Sequence, residues 1–210
     1  MTLSFPSSSP PGILPREVAE KAPFANLAGV LTAFHIPTGS AVAAQVSDTL
    51  CRCQLASPPN VAGEVMTKSC TTSLEATVQS AMRMLGADHA GGVWVASSEL
   101  TGAGLPRQQY AVVAAAPVVH RRGRYVYCHT MQFPYTVYLC HIAHQAGYRA
   151  YKVSLAGLRD GSAVSMLAFC HLNTAGWSPA HPAFEVLHAK PGGAPVCHFM
   201  PYGNMVFVKN

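Results

Sequence analysis

Four Cys-His dipeptides in the second half of the chain are the residues best suited to do chemistry: Cys128-His129, Cys140-His141, Cys170-His171 and Cys197-His198. Seven cysteines and ten histidines scattered at random over 210 residues give well under one such dipeptide. Every cysteine beyond residue 100 is followed by a histidine. On a β-strand, neighbouring side chains point to opposite faces. A cysteine and the histidine after it are therefore badly placed to bind one ion. This argues against a mixed Cys/His zinc site and for two rows with separate tasks, thiols for disulfides and imidazoles for a metal.

Residues 124–142 read as a hairpin turning at Phe133-Pro134-Tyr135. With Pro134 central, Cys128 stands opposite Cys140, and directly opposed Cβ atoms lie roughly 4.5–5.5 Å apart, near disulfide range. His129 and His141 then share the other face as diagonal neighbours within reach of a bridging metal. The same logic pairs Cys170 with Cys197 and brings His171 to His198. Cys53 and Cys70 make the third pair and leave Cys51 free. All-imidazole ligation suits copper, zinc or nickel, and at equal geometry Cu²⁺ binds most tightly. The competing reading makes these histidines hydrogen-bonded polar residues beside structural disulfides.

The elements that must position these residues follow from periodicity. Residues 1–15, with Pro6, Pro10, Pro11 and Pro15 among serines, read as irregular. From about 16 to 86 the pattern is helical. Leu27, Val30, Leu31 and Phe34 share a face, and Ser40 is placed to cap a helix carrying Val42, Val46 and Leu50. Thr72-Ser73-Leu74-Glu75 fits a capping box opening a helix over 72–85, with Leu74, Val78, Ala81, Met82 and Leu85 inward and Gly86 as its left-handed end. Strands are expected at 92–97, 109–117, 124–130, 136–142, 148–155, 163–170, 184–189 and 204–208. Helices first and strands later predict an α+β fold, with N-terminal helices packed on a mainly antiparallel, disulfide-stapled β-sheet.

Composition narrows the function. The net charge of +5 is mild, and the one dense basic run, His120 to Arg124, reads as a solvated loop before a strand, with a polyanion contact such as pectin or nucleic acid as the alternative. Aromatic residues are not interleaved with basic ones, so a nucleic-acid groove is not expected. No stretch reaches the roughly 18–20 apolar residues of a membrane span, and Met1 to Pro6 is not a signal peptide. A hydrolase has thin support: G-x-S-x-G is missing, and Cys51 beside Arg52 lacks an identifiable base. Cys51-Arg52-Cys53 is also not the C-x-x-C of a zinc ribbon or redox site.

The dipeptides are separated by 10, 28 and 25 residues, a spacing that resembles the BURP domain of plant proteins. Leu14-Pro15-Arg16-Glu17-Val18-Ala19, Pro23-Phe24, Ser69-Cys70-Thr71-Thr72-Ser73-Leu74-Glu75, the Pro134-Tyr135 before the second dipeptide, Trp177-Ser178-Pro179-Ala180-His181-Pro182-Ala183-Phe184 and Pro195-Val196-Cys197-His198-Phe199 all resemble segments of that family. The 28-residue gap is slightly longer than usual, and the family's opening Phe-Phe, signal peptide and variable segment are missing. The expectation is a single domain over 16–210, trimmed at its usual start, after the irregular 1–15.

The resemblance implies two kinds of activity. Some members are copper-dependent peptide cyclases that crosslink a Trp or Tyr side chain of a core peptide. Others are non-catalytic wall proteins of the seed, anther, dehydration-responsive or polygalacturonase-associated types. His181 matches a family histidine and is a candidate fifth metal ligand, or a donor to one, beside His129, His141, His171 and His198. The competing reading is a buried, hydrogen-bonded histidine. His35, His89, His120, His144 and His188 lack matched spacing and read as ordinary residues. Tyr125, Tyr127, Tyr135, Tyr138, Tyr148 and Tyr151 read as core and sheet residues. Trp94, in a strand, and Trp177, in a family motif, do not read as a presented core peptide. The expectation is therefore a copper-competent module, with zinc as the alternative metal, of the secretory and cell-wall type. It acts in development or stress response without self-cyclisation, in the apoplast or wall. Its partners are a wall polysaccharide, a polygalacturonase or a peptide, not nucleic acid. The alternative is a copper-dependent macrocyclase for a peptide supplied in trans or by a longer precursor, which leaves enzyme activity open.

Overall fold

A computed structural model describes residues 1–5, 12–54, 67–87, 92–99, 103–118, 124–144 and 147–209, without the side chains of 143 and 144. His89, His120, Arg121 and Arg122 lie outside the described residues, as does the side chain of His144. In chain order the elements are β1 (Thr2–Phe5), α1 (Arg16–Ala19), α2 (Leu27–Ala33), α3 (Ala41–Gln54), β2 (Lys68–Thr71), α4 (Leu74–Leu85), β3 (Val93–Ser97), β4 (Leu105–Pro117), β5 (Arg124–Thr130), β6 (Tyr138–His144), β7 (Tyr148–Gly157), β8 (Ala163–His171), α5 (Pro182–Val186), β9 (Val196–Phe199) and β10 (Met205–Lys209). The expected α+β class takes the form of antiparallel sheets, a few helices and three disulfides, with strands outweighing helices.

The chain divides into two compact units, one of residues 1–9, 94–125 and 143–210, the other of 10–93 and 126–142. The first unit is built on a five-stranded sheet in the order β1-β4-β7-β8-β9. All its pairings are antiparallel. Its core is Tyr110, Val153, Leu155, Val164, Met166 and Ala168. Strand β8 is buried from Val164 to Cys170, which explains its unbroken apolar run around a single serine. Thr2–Phe5 form β1 inside the segment read as irregular; Tyr110 donates its N–H to the Met1 carbonyl, anchoring the start of that strand.

In the second unit, β2, β6 and β5 lie side by side in that order. Ser40 caps α3 as expected, its Oγ accepting from the Ala43 N–H at 3.1 Å. Val46 and Leu50 are buried, whereas Val42 is exposed. These residues do not stand alone: Val30, Val46, Leu50, Phe133, Tyr135 and Val137 form one core cluster. The two N-terminal helices of that cluster thus bury their apolar face against the connection between β5 and β6. The cap of α4 is Ser73, one residue later than the expected Thr72. The inward face shifts with it to Thr77, Ser80, Ala81 and Leu85, and Leu74 is exposed. The buried Thr77 hydroxyl is satisfied by the Ser73 carbonyl and Thr71 Oγ1, so a polar residue can face inward. Gly86 ends the helix at φ 63°, as read.

One expected strand is a helix. A strand is expected over residues 184–189, yet Pro182–Val186 form α5. Proline at the first helical turn brings a preset φ and lacks only an N–H that no helix would use there. His181 Nδ1 accepts the next N–H, from Ala183, at 3.2 Å. Like β1, the short strands β2 and β9 are additional to those expected.

Candidate metal centre

The hairpin of the second unit places the first two dipeptides. The Met131 N–H donates to the Val137 carbonyl, symmetrically about Pro134, and Cys128 and Cys140 are disulfide-bonded with Cα atoms 4.0 Å apart. Both cysteines are fully buried. Alternation then turns His129 and His141 the other way. Their rings stack, with centroids 5.2 Å apart and planes 17° apart, and their Nε2 atoms are 3.1 Å apart. The buried Tyr127, two residues before His129 on the same face, lies alongside both rings, at 5.7 and 6.0 Å. The third disulfide, Cys53–Cys70, ties α3 to β2, whose Lys68 and Ser69 pair with His141 and Cys140. Cys51 is a free, exposed thiol.

The first unit repeats the device. Cys170 and Cys197 are register partners on β8 and β9 and are disulfide-bonded. His171 and His198 stack on the opposite face, with centroids 5.5 Å apart and planes 26° apart. Trp177 meets His171 edge-on at 4.7 Å and His181 at 4.5 Å. The five histidines thus form one pair in the second unit, and one pair with His181 nearby in the first. Among the described residues, no group of three or more His, Cys, Asp or Glu converges as a ready metal cage. His35 and His188 are exposed and adopt left-handed backbone, at φ 52° and 49°. Of the six tyrosines expected in core or sheet, 125, 127, 135 and 138 are buried. Trp177 and Tyr127 are site residues whose roles the sequence reading missed; the Trp177-to-His181 spacing of four was the one visible hint.

The first pair fits a metal sterically. Two nitrogens about 2.0–2.1 Å from one ion stand roughly 2.9 Å apart at a right angle and roughly 3.4 Å at the tetrahedral angle. The observed 3.1 Å lies between. Without an ion, the same separation is a hydrogen bond with one Nε2–H donating to the other ring. His141 Nδ1 lies 3.5 Å from the Ile142 carbonyl oxygen, which favours the proton on Nδ1 and a lone pair on Nε2.

The electrostatics also favour neutral imidazoles, the form a metal needs. Burial lowers the His141 pKa, partly opposed by the Ile142 carbonyl. For His171, burial first, then repulsion from His198 and His181, push it down to about 4. An unfolded histidine titrates near 6.5, so between about 6.5 and 4 the unfolded chain binds more protons than the folded one. Stability must therefore fall as the pH falls through that window. In the metal-free protein, Tm is expected to decline over that interval and to decline less in His171→Asn. Parallel Tm-versus-pH curves for the two proteins would refute this.

The BURP domain family model matches residues 1–209. Protein RAFTIN 1A of Triticum aestivum is 43% identical over 210 residues, covering 98% of this chain and 51% of that protein. BURP domain-containing protein 13 of Oryza sativa subsp. japonica is 44% identical over 204 residues, covering 95% and 47%. BURP domain protein RD22 of Arabidopsis thaliana is 36% identical over 196 residues, covering 92% and 47%. The chain spans about half the length of these curated relatives. With stacked histidines behind cross-strand disulfides and a match that runs almost from end to end, the chain belongs to the BURP domain family.

Proposed function

We propose that this chain is a disulfide-stapled, copper-competent module of the secretory or cell-wall type, acting in plant development or stress response. The observation that carries the metal reading is the 3.1 Å separation of His129 Nε2 and His141 Nε2, a spacing that two ligands of one ion can take, with His141 largely desolvated. His171 and His198 supply a second, similar pair. Each pair gives two ligands, and water or a partner's donor would complete the shell. Copper is preferred over zinc on affinity at equal geometry. Three disulfides support an oxidising compartment, since such bonds persist outside the cytosol. On this reading the partner belongs to the wall: a polysaccharide, a polygalacturonase or a peptide. Peptide cyclisation, the other activity of the resemblance, gains no support from the named relatives.

Calorimetric Cu²⁺ titration with electron paramagnetic resonance tests the metal reading. The wild-type protein is expected to take up Cu²⁺ with imidazole nitrogens in its spectrum. His129→Ala and His171→Ala should each weaken one binding event by at least about 10-fold, since even indirect partners of a ligand contribute that much. No uptake by the wild type, or unchanged uptake by the double variant, sinks the reading.

A further inference from the structure

His171 is boxed in by rings. Tyr148 meets it at 5.2 Å and 69°, Phe169 at 5.3 Å and 81°, and Trp177 at 4.7 Å and 70°, while His198 stacks on it. Tyr148 and Phe169 come from the paired strands β7 and β8, so their positions are fixed by the sheet. Trp177 does not. It sits in the irregular segment after β8, held by a turn in which its N–H donates to the Thr174 carbonyl at 2.9 Å. What braces its ring is the start of α5: His181 at 4.5 Å and the buried Phe184 at 6.0 Å.

His181 is itself committed. Its Nδ1 accepts the Ala183 N–H at 3.2 Å, and its carbonyl accepts the Phe184 N–H at 2.9 Å. A neutral imidazole that accepts at one nitrogen carries its proton on the other. The Nδ1 lone pair is therefore spent on the helix cap, and Nε2 is protonated. Metal ligation by His181 would break the cap and release Phe184 and Trp177 together. The candidate fifth ligand is already employed as a bracket.

We propose that Trp177, braced by His181, is the positioning residue that holds His171 in line with His198, so that His181 serves this pair through Trp177 and not as a ligand. The proposal rests on the copper reading of the pair. A ring that supports a metal-binding histidine keeps it oriented before the ion arrives, and losing such support costs about 10- to 100-fold in affinity.

The test compares His181→Ala, His181→Asn and Trp177→Leu in the full chain. Asparagine retains an oxygen that can accept the Ala183 N–H. In the metal-free protein, the His171 ring-proton resonances, assigned by their loss in His171→Gln, are expected to be displaced by the Trp177 ring current. They should return toward ordinary positions in Trp177→Leu and His181→Ala and return less in His181→Asn, which keeps the cap. Copper affinity should follow, about 10- to 100-fold weaker in the first two and weakened less in His181→Asn, which keeps the cap but not the ring contact, with the same count of nitrogens in the resonance spectrum. A His181→Asn protein that loses a nitrogen makes His181 a ligand and overturns the proposal. So do His171 resonances indifferent to Trp177→Leu. If the wild-type chain takes up no copper, the copper reading fails, and the metal-free resonances alone decide whether Trp177 holds His171.

Discussion

Replacing Cys128 and Cys140 together by alanine is expected to cost about 3 kcal/mol, the loop-closure entropy of a crosslink spanning a dozen residues. For a chain of this size that is a Tm loss of roughly 6–12 °C. The crosslink closes the 12-residue separation that contains the whole β5–β6 connection, and its sulfurs are fully buried. The consequence is not only thermal. The same register that opposes the cysteines stacks His129 on His141, so the variant should also bind Cu²⁺ more weakly at that pair. Cys51→Ser is the control, because Cys51 is exposed and unpaired by disulfide, and it should leave both properties alone. Thermal unfolding under non-reducing conditions, with copper titration of the same samples, measures both. A double variant within about 1 kcal/mol of wild type would mean that the hairpin's hydrogen bonds suffice without the staple.

Phe133→Ala is the second large loss, about 3–5 kcal/mol, the usual cost of emptying a buried phenylalanine site. Phe133 is 7% exposed. It meets Tyr135 edge-on at 5.0 Å and Phe24 at 5.5 Å, within the cluster that includes Val30, Val46, Leu50 and Val137. Next to it, Thr49 Oγ1 donates to the Gln132 carbonyl at 2.9 Å, and the Tyr135 hydroxyl donates to the Pro23 carbonyl at 3.3 Å. Burial raises the Tyr135 pKa to about 12, which keeps that hydroxyl protonated and donating. The connection between β5 and β6 is thus an anchor that the helices grip from outside. Urea unfolding is expected to show the loss, with Phe133→Leu recovering most of it because the volume is largely restored. A loss below about 1 kcal/mol would show that the site collapses around the alanine and that the anchor lies elsewhere.

Both predictions draw on features that sequence made visible to different degrees. The opposition of Cys128 and Cys140 was legible, because Pro134 marks the centre and strand alternation fixes which side chains oppose. The aromatic anchor was not: Phe133-Pro134-Tyr135 reads as a turn, and nothing local says that Val46 and Leu50, some 80 residues earlier, will bury against it. The α4 cap illustrates an intermediate case. Adjacent Thr72 and Ser73 both qualify by type, and the choice of Ser73 rotates the buried face onto Thr77 and Ser80, because internal hydrogen bonds with Ser73 and Thr71 satisfy the Thr77 hydroxyl. Residues 184–189 failed for another reason. A short, mostly apolar run does not distinguish strand from helix by periodicity alone, and the signal that decides it is Pro182 together with an unusual cap, an imidazole nitrogen.

What the sequence determined by itself is the pairing logic: which cysteines bond, which histidines meet, and that thiols and imidazoles face apart. For the four Cys-His dipeptides these follow from the two-residue alternation of an extended strand; the Cys53–Cys70 bond, which starts on a helix, does not. Only the tertiary structure decided what each imidazole can do. Burial lowers the pKa of His141 and His171, Tyr127 flanks one pair, Trp177 supports the other, and a helix start consumes the lone pair of His181. Desolvation and lone-pair occupancy depend on atoms brought in from elsewhere in the chain, and no spacing along the chain records them.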